Sequence, residues 1–206
     1  AFVPGMEVTC TTQDGISVHM LSYLHDPGYQ PLVERIEECR SNRLTRARSM
    51  VELLAEDYPI SWQDVQHQVG PGATVGRPHI ADALVELGVV PTRSAAFSGL
   101  LSGRSKYYVR HRALDPVEAI KLVRAAGGVP GCAHPMAPLR GRVASAADFD
   151  AMIDVGLAGL EVAHRDNPDE SRAILMKLAA EHDLIVTGSS DYHGAGKPNR
   201  LGENST

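Results

Sequence analysis

Histidines and carboxylates gather where short apolar runs of this sequence end. The run Val129–Ala133 leads into His134-Pro135. Residues 160–163 carry Glu161 and lead into His164-Arg165-Asp166. Residues 184–187 open the loop Gly188-Ser189-Ser190-Asp191-Tyr192-His193-Gly194. Near the start, Met6-Glu7-Val8 and Val18-His19-Met20 place a carboxylate and an imidazole inside strand-like runs. Imidazole and carboxylate together suit Mn, Fe or Zn. Asp191-x-His193 is the sharpest pair: alternating geometry projects both side chains to one side, on a glycine- and serine-rich loop after an apolar strand.

Side chains so far apart in sequence meet only if their strands share one end of a sheet or barrel, which is where α/β folds build their sites. Asp115 predicts the cap of a helix over 116–126, with Pro116 at its first position, ahead of the strand Val129–Ala133. Ser145 starts a helix over 147–155, ended by Gly156 ahead of the strand 160–163. Asn167-Pro168 opens a helix over 169–182, followed by the strand 184–187. Three helix-then-strand units in succession argue for a parallel sheet or barrel. Upstream, residues 16–23 read as a strand and residues 31–58 as a long amphipathic helix. Residues 61–112 differ in style. Ser61 as an N-cap, the Gly70-Pro71-Gly72 breaker and helices over 78–87 and 92–101 read as an inserted helical subdomain. The expected organisation is one fold over 1–60 and 113–206, interrupted by 61–112.

Composition narrows the class. Hydrophobic residues at 43% and charged residues at 22% are an ordinary globular mix. No run approaches the roughly 20 apolar residues of a membrane span. Twenty Lys and Arg against 25 Asp and Glu give −5, which argues against a DNA coat or an anionic membrane surface as partner. Three widely spaced cysteines form no disulfide framework and point to a cytoplasmic protein.

Several of these segments carry a family resemblance. Pro4-Gly5-Met6-Glu7-Val8, His19, Ala133-His134-Pro135, Gly159-Leu160-Glu161-Val162 and Gly188 to Gly194 resemble the later motifs of the PHP (polymerase and histidinol phosphatase) metallophosphoesterases. Gly76-Arg77-Pro78-His79 and the tail Gly196-Lys197-Pro198-Asn199-Arg200-Leu201-Gly202-Glu203-Asn204 are similar to the branch of nucleoside 3′,5′-bisphosphate phosphatases and 5′-to-3′ exoribonucleases. The resemblance implies a distorted (β/α)7 barrel holding two or three divalent ions, with Mn²⁺ expected and Mg²⁺, Fe²⁺ or Zn²⁺ as alternatives. Residue by residue, it implies Glu7 as a bridging carboxylate, and His19 and His134 as imidazole ligands of one bridged metal. Asp191 would serve the other bridged metal and His193 a third. The family's opening His-x-His pair, its Asp and the next ligand strand are absent from these 206 residues, so the first quarter of the barrel is expected to be missing.

The implied reaction is hydrolysis of a phosphomonoester, foremost the 3′-phosphate of a nucleoside 3′,5′-bisphosphate, with trimming of short RNA as a related activity. Arg77 and His79, at a helix start where amides and positive charge favour anions, are candidates to hold substrate phosphate under a helical lid. His164, Arg165, Lys197 and Arg200, near strand ends, are further candidates, and Arg140 and Arg142 read equally well as ordinary ion pairs. Arg35, Arg40, Arg43, Arg46 and Arg48 read as a solvated helix face, and Cys132 as core filler. A histidinol-phosphate-type phosphatase and an inactive metal- or nucleotide-binding module are the competing readings.

Overall fold

A computed structural model of the chain describes residues 2–109, 113–192 and 199–204. Two compact units emerge: Ala1–Val33 with Ala113–Thr206, and Glu34–Arg112.

The first unit is a mixed five-stranded sheet with helices packed on it, and the strands lie in chain order. β1 (Gly5–Thr11) and β2 (Ser17–Tyr23) form an antiparallel hairpin, and β2 runs antiparallel to β3 (Val129–Ala133). β3, β4 (Gly159–Ala163) and β5 (Ile185–Gly188) are parallel. The parallel arrangement expected from the helix–strand alternation therefore holds for β3 to β5 only. Residues 12–16 are too few for a helical crossover, and Gly15 at φ 76° closes the tight turn that an antiparallel pair allows.

The crossover helices start where the sequence places their caps. α5 (Pro116–Ala125) opens on Asp115, whose side chain accepts the Val117 and Glu118 amides. α6 (Ala146–Asp154) opens on a reciprocal Ser145–Asp148 capping box, and α7 is Asp169–Glu181. In β1 and β2, Val8, Cys10, Val18 and Met20 are buried and alternate with the more accessible Glu7, Thr9, His19 and Leu21. Cys132 and Leu160 pair across β3 and β4 inside the core, and burial pushes the Cys132 thiol up to about 12.

The second unit is helical. It takes most of α1 (Gln30–Ala55), then α2 (Trp62–His67), α3 (Arg77–Glu86) and α4 (Arg93–Ser98). Its core joins Met50, Val51 and Leu54 of α1 to Val65, Ile80, Leu84, Ala96 and Leu101. That shared apolar face draws the division between units at Glu34, inside the long helix, rather than at residue 61. No helix among the described residues is long and apolar enough to cross a membrane.

Leu160 is fully buried at the centre of the parallel strands. Leu160→Ala should cost about 2–5 kcal/mol of stability in urea unfolding, with no loss of the native secondary structure.

Candidate metal centre

The register of β1 against β2 sets the first contact. Glu7 faces Leu21 and Thr9 faces His19, so Glu7 and His19 are diagonal neighbours on one face. His19 Nδ1 lies 2.5 Å from Glu7 Oε1.

His134, immediately after β3, turns in with φ 32°, a strained left-handed conformation for a bulky residue. Its amide donates to Glu161 Oε2 at 2.9 Å. Glu161 is 5% exposed, and burial pushes its carboxyl upward against the pull of that hydrogen bond. The turn brings His134 Nε2 to 3.8 Å from Glu7 Oε1 and sets the His134 ring 5.0 Å from the His19 ring. The neighbouring His134 and His19 imidazoles hold the Glu7 carboxyl well below the usual carboxylate range.

Asp191 follows β5 in the same left-handed region, φ 47°, with its amide donating to Ser189 Oγ at 3.0 Å. Asn199, 7% exposed, donates to the carbonyls of Ser190 and Asp191 at 2.7 and 3.3 Å and so pins this loop from the tail. Arg140, after the Pro138–Arg140 3₁₀ turn, links the parts. Its guanidinium donates to Asp191 Oδ2 at 2.5 Å, to Asp166 Oδ2 at 2.7 Å and to His134 Nε2 at 3.3 Å.

His164 is fully buried, with its ring 5.2 Å from that of His134. Its Nδ1 accepts the Asp166 amide at 3.0 Å, which assigns the proton of the neutral ring to Nε2. Nε2 is buried with no hydrogen-bond partner among the described residues, 4.0 Å from Asp191 Oδ2.

Glu7, His19 and His134 each offer one ligand atom within 4.8 Å of the others. Ligands about 2.0–2.2 Å from one divalent ion stand about 3–4 Å apart; the 3.8 Å His134–Glu7 separation lies in that range, and the 2.5 Å His19–Glu7 contact has to open slightly to admit an ion. The donor set of one carboxylate and two imidazoles fits a borderline divalent cation.

The other expected site residues are placed as follows. Arg165 donates to Asn199 Oδ1 at 2.9 Å and lies 3.9 Å from Glu203, while Arg200 is exposed beside Glu203. His79, in the helical unit, accepts the Gly76 amide at Nδ1 and closes the first turn of α3; Arg77 stands at the start of that helix. His193 and Lys197 lie outside the described residues. The sequence reading did not give Glu161 and Asn199 their holding roles. A carboxylate inside the apolar Gly159–Ala163 strand was the available signal for Glu161, since a buried charge requires a partner.

A carboxylate–imidazole cluster at one end of a mixed α/β sheet fits a metal-dependent enzyme, and the comparisons identify the class as a metal-dependent phosphoesterase. A solved structure from Bifidobacterium adolescentis, assigned as a metal-dependent phosphoesterase, superposes with a TM-score of 0.92 at 49% identity. The match covers 99% of this chain and 72% of that one. The chain belongs to the PHP family of metal-dependent phosphoesterases. The 3′,5′-nucleoside bisphosphate phosphatase of Chromobacterium violaceum is 27% identical over 203 residues, covering 97% of this chain and 70% of that protein. The 5′-3′ exoribonuclease Rnm of Salmonella typhimurium is 28% identical over 197 residues, 93% of this chain and 65% of that one. A C. violaceum amidohydrolase structure with sulfate bound and no metal shares the fold alone, with a TM-score of 0.82 at 24% identity. No family model matches the chain.

Burial, ahead of the nearby Arg140 and His134 charges, pushes the His164 imidazole down to about 4. In the unfolded chain the ring takes up its proton near 6.5. Between those values the unfolded state binds more protons, so stability falls as pH falls from about 6.5 to 4. His164→Asn should flatten this slope in thermal melts across that range.

Proposed function

We propose that the chain hydrolyses a phosphomonoester of a nucleotide, foremost the 3′-phosphate of a nucleoside 3′,5′-bisphosphate, with Mn²⁺ as cofactor. The carrying observation is the Glu7–His19–His134 triad, which gathers one carboxylate and two imidazoles at a single point and is linked to Asp191 through Arg140. The names of the C. violaceum phosphatase and the exoribonucleases support a phosphorylated nucleotide or short RNA as the substrate class.

In this reading Glu7, His19 and His134 hold one cation, and Asp191 and His193 contribute to neighbouring positions. A bound divalent cation supplies Lewis acidity, drawing charge from the phosphoryl oxygens and making a water nucleophilic near neutral pH. The remaining work falls to the chain's own groups. Glu7 stays ionised across the neutral range because the His134 and His19 imidazoles flank it. His164 stays neutral there, and its buried Nε2–H is a donor aimed beside Asp191 that can hold a phosphoryl oxygen. Arg140 sets a guanidinium against His134 and Asp191, where it offsets negative charge. Arg165, Lys197 and Arg200 in the first unit, and Arg77 and His79 in the helical unit, are proposed to recognise substrate phosphate.

The same reading takes the first unit as part of a distorted (β/α)7 barrel and the helical unit as its insertion. Ile185 and Val186 on β5 are 54% and 40% exposed, an apolar sheet edge of the kind that barrel closure covers. A cytoplasmic setting is part of the same reading, supported by the three widely spaced cysteines of the sequence.

Phosphate release from adenosine 3′,5′-bisphosphate, histidinol phosphate and 5′-phosphorylated RNA, each with Mn²⁺, tests the reading. The bisphosphate should turn over fastest, chelation should abolish turnover, and Asp191→Ala should lower kcat by about a hundredfold or more. Full activity in that variant would refute the site assignment.

A further inference from the structure

Asn167 stands just ahead of Pro168 and α7, where an Asn side chain ordinarily accepts the first helical amides. Here it does not. Pro168 is the cap residue of α7, and no side chain caps that helix. The Asn167 side chain is 1% exposed and serves the loop that follows β3 instead. Its polar atoms all bond main chain. Nδ2 donates to the carbonyls of Glu161 and Val162 at 2.9 and 3.1 Å, and Oδ1 accepts the Met136 amide at 3.3 Å.

The two carbonyls lie at a break in β4, where its register against β5 shifts between Glu161 and Ala163. The β3–β4 ladder runs through Gly131–Gly159 to Cys132–Leu160. Past that pair, side chains of the β4 segment take over the holding. Glu161 takes the His134 amide at 2.9 Å and Asn167 takes the Met136 amide, while Pro135 between them has none to offer. His134 sits at φ 32°, and a strained turn fixed at one amide can still pivot about it. A second bond two residues on removes that freedom. Releasing Asn167 would leave two carbonyls and an amide unpaired around the break, so the clamp resists slackening.

We propose that Asn167 is a positioning residue of the metal centre: by fastening the Met136 amide to the β4 break, it fixes the turn that carries the His134 imidazole to His19 and Glu7. The proposal goes beyond the nucleotide reading above and rests on it in one respect, that His134 holds a cation. It gives Asn167 a task at the site rather than the opening of α7 that its place in the sequence announces.

The test compares the full wild-type chain with Asn167→Ala, and with Leu160→Ala as a destabilised control from the same strand. In the metal-free wild type the His19 and His134 rings, with centroids 5.0 Å apart, should give a cross-ring NOE in histidine-labelled protein. Asn167→Ala should lose that NOE and bind Mn²⁺ about tenfold or more weakly, both measured below its melting transition. Leu160→Ala should lower the melting temperature as much or more and keep both the NOE and the affinity. A residue that merely stabilises the fold would behave as Leu160 does. Where Asn167→Ala fails to fold, Asn167→Ser replaces it, with an expected loss in the same direction. A folded Asn167 variant that keeps the ring contact or the wild-type Mn²⁺ affinity would overturn the proposal. So would a wild type without the NOE, or a Leu160→Ala protein that loses NOE and affinity alike. If the wild type binds no Mn²⁺ while Asn167→Ala loses the NOE, the cation reading of His134 falls and the positioning role stands.

Discussion

The hydrogen bond from the His134 amide to the Glu161 carboxylate is the contact on which the cluster depends. A residue such as His134 pays about 1–3 kcal/mol to sit in a sparsely populated backbone region. A hydrogen bond to a carboxyl oxygen that is shielded from water offsets that cost, because the buried oxygen has no solvent to turn to instead. The turn so fixed carries the imidazole back over the sheet, within reach of Glu7 and against the rings of His19 and His164. Asp191 repeats the device after β5, with Ser189 and Asn199 as the holding groups. Strain at two strand ends thus gathers side chains that an unstrained sheet would leave pointing apart.

Environment then gives chemically similar groups opposite states. Glu7, between two imidazoles, is held ionised, whereas Glu161, buried under a backbone turn, is pushed toward its neutral form. His164 is kept neutral by burial. Arg140 supplies local positive charge to Asp166 and Asp191 in a chain whose net charge is −5. Net charge is therefore a poor guide to the field at this end of the sheet.

Much of this was legible in the sequence. The caps at Ser61, Asp115 and Ser145 were readable because a side chain that accepts N-terminal amides leaves a local signature. His134 stood out because it closes the apolar run Val129–Ala133, and Glu7 and His19 because each is a polar residue inside a strand-like run. The antiparallel placing of β1 and β2 was not, since strand direction depends on turn length and sheet pairing rather than on hydrophobic pattern. The packing of residues 34–60 with the helical unit was hidden for a similar reason: an amphipathic face shows that it is covered, not by what. Arg46, read with its neighbours as a solvated face, donates to the Val109 carbonyl beside the Tyr108 ring, a tertiary contact that a helix charged all along does not announce.

Titration of the purified protein with Mn²⁺, followed by calorimetry or by loss of the free-ion paramagnetic resonance signal, tests the central claim most directly. The account predicts saturable binding that weakens by at least tenfold in both Glu7→Gln and His134→Ala, with the fold retained. Equal Mn²⁺ affinity in the wild-type protein and in both folded variants would contradict it.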